Sequence, residues 1–140
     1  MFKKITIEQQ LTFKKEEKLK SKKLIEILFK QGASFSNFSF RVLYIFVEKN
    51  IAPLQSGFAV SGKNFKKAVD RNRIKRLIRE AYRLQKNNLT ETLKKNGKFM
   101  TVFFIYTGKE IIEYKNIFEK MQSGLNRLNK IADEAIAADT

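Results

Sequence analysis

The chain has 140 residues, enough for one domain with a buried core but too few for two ordinary domains. A hydrophobic content of 43%, with thirteen Phe and one Pro, predicts a folded chain although 31% of the residues are charged. Lys and Arg outnumber Asp and Glu by 29 to 14, so the net charge is +15. A charge of this sign and size leaves nucleic acid and anionic membranes as the main classes of partner.

The sequence argues against a membrane protein. No window approaches the ~18 to 20 continuous apolar residues of a membrane-spanning helix. The opening residues, MFKKITIEQQLTFKKEEK, have neither the apolar core nor the small-residue cleavage site of a signal peptide. We therefore expect a cytoplasmic protein with no membrane partner.

Chemistry carried by the chain itself is difficult to assemble from its residue types. Cys and His are absent, which excludes disulfides, the usual zinc sites, thiol nucleophiles and the commonest general base. Asp70, Glu80, Glu91 and Glu113 are scattered singly, so no carboxylate pair for Mg²⁺ is evident near the basic helix. We predict no catalytic residue and no metal site in the protein.

The N-terminal part is predicted to be a basic arm followed by a helix. Residues 1–20 are polar and rich in lysine, and they form either an arm that becomes ordered on contact or a solvated tail. A helix is predicted from an N-cap at Ser21 to about Gln31, and Gly32 ends it. Its apolar residues recur at helical spacing: Leu24, Ile25, Leu28 and Phe29.

Three apolar runs predict β-strands. The first extends from Phe35 to Val47, where alternation passes into a dense apolar run typical of a strand buried on both faces. A second strand is predicted from about Leu54 to Ser61, and its closeness in sequence predicts an antiparallel hairpin with the first. Residues 99–106, FMTVFFIY, are the most strand-like octet and are predicted to form a central strand.

A basic helix is predicted between the second and third of these strands. Residues 63–86 contain ten Lys or Arg and two acids, and they supply +8 of the net charge. One side is apolar, because i, i+3, i+4 and i+7 are occupied by Ile74, Leu77, Ile78 and Ala81. With so few acids nearby, we expect an external polyanion to neutralise the opposite, basic side. Residues 85–98 are predicted to be a frayed polar segment.

The last predicted element is an amphipathic helix that begins near Tyr114. Residues 109–140 carry five bases and six acids, so we do not expect the polyanion to bind there. The order of the elements predicts a single α+β domain, a two-layer sandwich of αβββαβα-like order with the helices on one side of the sheet. Aromatic residues on the uncovered side would either belong to the core or stack on unpaired bases.

Residues 68–80, AVDRNRIKRLIRE, resemble the signature of the protein subunit of bacterial ribonuclease P. The Arg-Asn-Arg core, followed by Lys-Arg and by another Arg one turn later, is more specific than a basic patch. Three further stretches are similar to the family: FKKEEKL at 13–19, FKQG at 29–32 and FAVS at 58–61. The resemblance omits little more than the two ends of the chain.

This resemblance implies a function and a detail of the fold. In the family, the RNA hydrolyses the phosphodiester bond that joins the 5′ leader to precursor tRNA, and Mg²⁺ is held mainly by the RNA. The protein binds the catalytic RNA and the leader, and we expect it to be a monomer in a 1:1 complex with the RNA. The resemblance also implies a left-handed βαβ crossover, although such connections are generally right-handed.

Two surfaces are predicted. The surface for the catalytic RNA combines the helix motif with the lysines before it, which are included for their charge, since no family contact is carried over between Gly62 and Ala68: Lys63, Lys66, Lys67, Arg71, Asn72, Arg73, Lys75, Arg76, Arg79 and Arg83. The cleft for the leader, between the first helix and the sheet, comprises Ile25, Phe29, Phe35, Phe38, Phe40 and Tyr44. Ile25 stands where the family often has an aromatic residue, so Phe29 and Tyr44 are the favoured stacking residues. Gly62 stands where many members have a base.

Two other functions are compatible with parts of this pattern. A ribosomal or ribosome-assembly protein would share the charge, the sandwich and the lack of catalytic residues. A DNA-binding protein that inserts a helix into a groove would need another helix packed just before the basic one. Residues 55–61 instead predict a strand at that place.

Overall fold

The fold is a mixed α+β arrangement around one four-stranded sheet. The structure, a computed structural model, describes residues 12–37 and 39–138. The strands are β1 (Ala33–Asn37), β2 (Phe40–Val47), β3 (Leu54–Val60) and β4 (Phe99–Tyr106). The helices are α1 (Lys22–Gln31), α2 (Ala68–Gln85), α3 (Asn87–Lys95) and α4 (Tyr114–Ala138). A short 3₁₀ turn, Lys15–Glu17, precedes α1.

Strand β4 lies between β2 and β3 and decides the topology of the sheet, whose order is β1-β2-β4-β3. It pairs antiparallel with β2 along its whole length and parallel with β3. The predicted central strand is therefore confirmed, whereas the predicted hairpin between β2 and β3 is wrong. Strand β4 is apolar on both sides, and such a strand is best placed inside a sheet covered on both faces.

The long strand predicted between Phe35 and Val47 is in fact two strands. β1 and β2 pair antiparallel, with Asn37 opposite Phe40, so the chain reverses between these two residues. Ser39 has a φ of 77°, and tight hairpin turns require such left-handed backbone. No Gly or Pro marks this turn in the sequence, and the apolar alternation continues across it.

The two faces of the sheet contact different helices. On one face, Val42 and Phe104 belong to the main hydrophobic core, which includes buried residues of α2, α3 and α4. On the other face, Leu43 and Phe103 pack with Leu28 of α1. Three helices thus cover one face, while α1 covers part of the opposite face. The prediction that the helices all lie on one side of the sheet is therefore wrong for α1. The α+β class and the αβββαβα-like order are confirmed, with α3 as an additional helix.

Helix α1 has the predicted bounds. Ser21 acts as the N-cap, because its Oγ accepts a hydrogen bond of 3.3 Å from the backbone N–H of Leu24. The helix ends at Gly32, whose N–H donates to the carbonyl of Leu28 at 2.8 Å. A Cβ at position 32 would lie 2.4 Å from that carbonyl oxygen, so the close approach requires glycine.

Helix α3 occupies the segment that was predicted to be frayed. It buries Leu89 and Leu93, one turn apart, in the main core. The remaining residues of α3 are polar, so these two leucines are the entire apolar signal in the sequence. Burial against the core stabilises a short helix that its own propensity would leave marginal.

The connection from β3 to β4 is a βαβ crossover, because these strands are parallel neighbours joined through α2 and α3. Its left-handedness stays a prediction from the resemblance. The described part of the N-terminal arm lies along the outer edge of β3, where Leu19 N–H donates to the carbonyl of Ser56 at 3.0 Å. Phe13 packs edge-on against Phe58. Residues 1–11 of the predicted arm lie outside the described residues.

Candidate nucleic-acid interface

Helix α2 has one buried side and one exposed side. Ile74, Ile78, Ala81 and Tyr82 are fully buried, and Leu77 packs at the margin of the same core. The helix docks between β3 and α4 through these residues. The apolar side that the spacing predicted is therefore confirmed, and its burial fixes the direction in which the opposite side points.

The exposed side of α2 is basic. At 100° per residue, Asn72, Arg76 and Arg79 point away from the buried side, and all three are exposed, as is Arg73. The loop that precedes the helix, residues 61–67, adds three exposed lysines. We call the following residues the basic surface: Lys63, Lys66, Lys67, Asn72, Arg73, Arg76 and Arg79. Lys75, also predicted for the RNA contact, is half-buried beside them.

Two arginines predicted for the RNA contact are engaged within the protein. The Nη1 group of Arg71 donates to the carbonyl oxygens of Phe65 at 2.7 Å and Lys66 at 2.8 Å. Arg83 donates through Nε and Nη2 to the two carboxylate oxygens of Glu80, at 3.1 and 2.6 Å. The structure therefore separates these two side chains from the arginines that point into solvent.

The pair formed by Glu80 and Arg83 determines the charge of this part of α2. The hydrogen bond from Arg83 holds the pKa of the Glu80 carboxyl below its ordinary value and raises the pKa of Arg83. Both groups are thus charged at neutral pH and neutralise each other. Because Glu80 is paired with Arg83, it does not offset the charges of Arg76 and Arg79.

Lys86 is not part of the basic surface, although the pattern placed it with the exposed bases. Its side chain is only 5% exposed, and its Nζ forms an ion pair with Glu17 of the 3₁₀ turn. The reason is that α2 ends at Gln85 and the chain turns directly into α3. The ion pair ties the described part of the N-terminal arm to the junction of the two helices.

Buried polar contacts also support α2. The hydroxyl of Tyr82 lies 2.6 Å from the Oγ of Ser56 on β3. Burial raises the pKa of Tyr82 far above its ordinary value, so the phenol stays neutral. The contact fixes α2 against β3, next to the ring of Phe13 from the N-terminal arm.

Several residues predicted for the leader cleft lie on the face of the sheet opposite to α1. Phe35 and Phe40 are buried in the main core. Tyr44 packs on the same core, with its ring 6.1 Å from that of Phe35. The alternation of β2 explains this, because Phe40 and Tyr44 point to one face and Leu43 to the other. Phe38 lies outside the described residues.

The other two predicted cleft residues, Ile25 and Phe29, are brought together with a second aromatic residue, Phe103. Phe29 is 48% exposed on α1, and its ring centroid is 5.3 Å from that of Phe103 on β4. Ile25 is half-buried in the same cluster. Phe103 lies directly over Gly57, where a Cβ would come within 2.7 Å of the ring. We call Ile25, Phe29 and Phe103 the aromatic face.

Sequence reasoning did not single out Phe103, because the octet 99–106 is apolar except for Thr101 and does not show which face is covered by which helices. The signal that would have found it is the strand period. Phe103 lies on the opposite face from Phe104, and Phe104 is the more buried of the two. Assigning the face of one residue assigns all others in the strand.

Within residues 12–37 and 39–138, no group of three or more His, Cys, Asp or Glu side chains is placed so that it could hold a metal ion. None of the helices in this part of the chain is both long and apolar enough to cross a membrane. Two acids near α2, Glu17 and Glu80, form ion pairs with Lys86 and Arg83.

The family model for ribonuclease P matches residues 13–129, and the chain therefore belongs to the ribonuclease P protein family. It is 34% identical over 115 residues to the ribonuclease P protein component of Porphyromonas gingivalis strain W83, which covers 81% of this chain and 84% of that one. It is 38% identical over 104 residues to the component from Clostridium botulinum strain Langeland, covering 74% and 86%.

Solved structures show the same fold. The ribonuclease P protein of Staphylococcus aureus superposes with a TM-score of 0.58 at 26% identity, covering 84% of this chain and 96% of that one. The protein of Thermotoga maritima gives a TM-score of 0.59 at 26% identity, covering 79% and 96%. These similarities confirm the family resemblance and the α+β class. The assignment of individual residues to RNA contacts stays a prediction.

Proposed function

We propose that this chain binds the catalytic RNA of ribonuclease P through the basic surface. The observation that carries the proposal is the exposed row Asn72, Arg73, Arg76 and Arg79 on a helix whose other side is fully buried. The buried side holds the row in a fixed orientation. Each phosphate that such a row neutralises releases condensed counterions, which makes RNA binding favourable.

We place the 5′ leader of precursor tRNA against the aromatic face. An unpaired base that stacks on an aromatic ring contributes ~1 to 3 kcal/mol to binding. The ring of Phe29 is half-exposed and packs on the ring of Phe103, so the pair offers an aromatic surface to a base. Phe103 takes the place of Tyr44 in this proposal, because Tyr44 lies on the other face of the sheet.

In the proposed complex, the RNA hydrolyses the phosphodiester bond and holds the Mg²⁺, and one protein binds one RNA. The described acids do not fit a metal site, so no Mg²⁺ ligand is assigned to them. The sequence contains neither Cys nor His to serve as nucleophile or general base. The task of the protein is therefore to hold the RNA and the leader in position.

The alternative functions have less support than this one. A ribosomal protein would share the charge and the layered fold, but the family match covers residues 13–129 and is specific to ribonuclease P. A groove-binding DNA protein would need a helix packed before α2, and strand β3 stands there.

The test is cleavage of precursor tRNA by a ribonuclease P RNA transcript, alone and with the protein, at near-physiological salt and Mg²⁺. We expect the protein to raise kcat/KM for the RNA and to show no cleavage by itself. A transcript that works equally well without the protein would contradict the proposed function. Cleavage by the protein alone would contradict the assignment of catalysis to the RNA.

The leader contact is tested separately with Phe29→Ala. Loss of a half-exposed stacking ring is expected to weaken binding of precursor tRNA by about five- to tenfold, the lower end of the range for base stacking. Binding of mature tRNA, which has no leader, should not change. Ile51→Ala is the matched control, because Ile51 is 75% exposed in the connection between β2 and β3 and is not part of the aromatic face. Equal losses with and without the leader would exclude Phe29 from the leader contact.

A further inference from the structure

We propose that Arg71 is a positioning residue, which holds the second part of the loop 61–67 so that Lys66 and Lys67 face the RNA, and that it does not itself contact phosphate. This inference rests on the proposed function. Its basis is the pair of hydrogen bonds from Arg71 Nη1 to the carbonyls of Phe65 and Lys66, at 2.7 and 2.8 Å. An Nη group carries two hydrogens, so both donors of Nη1 are used within the protein.

The direction of Arg71 sets it apart from the other arginines of α2. At 100° per residue, Arg71 lies about 60° around the helix from the buried Ile74, whereas Arg76 lies about 160° from it. Arg71 is accordingly half-buried, while Arg76 and Arg79 are exposed. Arg71 therefore points along the margin of the helix, back to the loop, and the other two point into solvent.

The first part of the loop is anchored to the end of β4 without Arg71. Ser61 N–H donates to the carbonyl of Tyr106 at 3.4 Å. Asn64 Nδ2 donates to the carbonyl of Thr107 at 3.2 Å. The ring of Phe65 is buried, with its centroid 6.0 Å from that of Tyr106. These contacts hold the chain as far as position 65.

The second part of the loop carries Lys66 and Lys67 from this anchor to the start of α2. Both side chains are exposed, and Lys67 is the N-cap residue of α2 without a side-chain hydrogen bond of its own to the helix. The bond from Arg71 to the Lys66 carbonyl fixes the backbone at this point. A loop that is ordered before binding loses less conformational entropy when its lysines meet phosphate.

A double-mutant design with a ribonuclease P RNA transcript separates positioning from direct contact. The variants are Arg71→Ala, Lys66→Ala with Lys67→Ala, and all three changes together, measured as affinity against salt concentration. We expect Arg71→Ala alone to weaken binding about three- to tenfold, the scale of ordering a short loop. When Arg71→Ala is added to the variant that lacks both lysines (the lysine variant), we expect no further loss of affinity and no further change in the salt slope.

Arg76→Ala is the matched control, because it removes one arginine from the exposed side of the same helix. It should lower the salt slope by about 0.9, the value for one phosphate contact, in the native and in the lysine-variant background alike. The same drop caused by Arg71→Ala in the lysine-variant background would identify Arg71 as a phosphate contact and overturn the inference.

Hydrogen exchange of the free protein tests the inference without RNA. Arg71→Ala should accelerate exchange of the amide at position 71, whose N–H donates to the Lys67 carbonyl of the loop at 3.2 Å, and Arg76→Ala should leave this exchange unchanged. Arg71→Lys, which keeps the charge but loses the planar fork, is the second variant. If Arg71→Lys binds the RNA with full affinity although its loop is no longer protected from exchange, the charge alone matters and the inference is overturned. If the wild-type protein fails to bind the RNA, the proposed function is wrong, and exchange still decides whether Arg71 orders the loop.

Discussion

Helices α2 and α4 pack against each other, yet their outer sides differ in charge. α2 carries six bases and two acids in 18 residues, whereas α4 carries four bases and three acids in 25. Their buried sides are similar, and Ile78 and Leu128 are both 0% exposed. The buried side thus decides that each helix forms and where it docks, while the exposed side decides what the helix can bind.

The comparison also shows that a base in the sequence need not be a base offered to a partner. On α4, the guanidinium of Arg127 lies 4.3 Å from the ring centroid of Phe35, a cation–π contact within the protein. On α2, Arg71 and Arg83 have internal hydrogen-bond partners. The difference in binding capacity therefore rests on Arg73, Arg76 and Arg79, which are exposed.

The largest effect is expected from the feature that the two helices share. Ile78→Ala and Leu128→Ala should each lower the free energy of unfolding by about 2 to 5 kcal/mol, because each leaves a cavity in the core. Urea denaturation measures the loss. Val69→Ala is the control, since Val69 is 77% exposed and its change should stay within about 0.5 kcal/mol. If either core variant lowers the free energy of unfolding by less than about 1 kcal/mol, the buried side of its helix does not hold that helix in place.

Lys86 tests whether a base of the basic stretch can serve stability alone. Lys86→Met should lower the free energy of unfolding by about 1 to 3 kcal/mol, because Glu17 loses its partner in a poorly solvated place. The side chains of Lys86 and Glu17 are only 5% and 15% exposed. Lys94→Met, an exposed lysine of α3, is the matched control. Equal stability of the two variants would remove the ion pair from the forces that hold the arm.

The charge difference between α2 and α4 is tested by paired substitutions. Arg76→Ala with Arg79→Ala should lower the salt slope of RNA binding by about two units, so that the affinity lost between 50 and 200 mM salt shrinks about tenfold. Lys115→Ala with Lys130→Ala removes the same charge from exposed positions on α4 and should leave the slope unchanged. Filter binding at several salt concentrations measures both. Similar slopes for the two variants would mean that RNA binds without preference for α2.

The smallest effect is expected from Glu80→Gln. The pKa of Glu80 is lowered by its hydrogen bond to Arg83, so its contribution to stability is present above its ordinary pKa and is lost as the pH falls through the lowered value. The contribution should be below about 0.5 kcal/mol, because the two side chains are 47% and 33% exposed. Urea denaturation should show this difference from wild type at pH 7 and none at pH 2. A difference that persists in acid would have another cause.

Local patterns predicted the elements whose signals are strong and continuous. The N-cap at Ser21, the glycine that ends α1 and the octet of β4 were all readable from neighbouring residues. So was the apolar side of α2, and with it the exposure of Asn72, Arg76 and Arg79. Each of these features depends on residues within two or three turns, or within one strand, where spacing and side-chain type are sufficient.

Weak local signals failed where contacts distant in sequence supply the stability. Helix α3 has two leucines to mark it, and the core that buries them stabilises the helix. The reversal between β1 and β2 lacks a Gly or Pro. The pairing of β3 with β4 in place of β2 brings together strands that are separated by two helices. Sequence proximity favoured the hairpin, and burial of β4 on both faces favoured the observed order.

The amino-acid sequence was sufficient to predict a basic helix with an apolar side in an α+β fold, because the helical period and the charge of a segment can be read from neighbouring residues. The tertiary structure alone decided which charges and rings face outward. It buried Lys86 against Glu17, turned Arg71 to the loop, put Phe35 and Phe40 in the core and set Phe29 beside Phe103. These outcomes depend on strand order and helix docking, since both bring together residues that no local pattern connects.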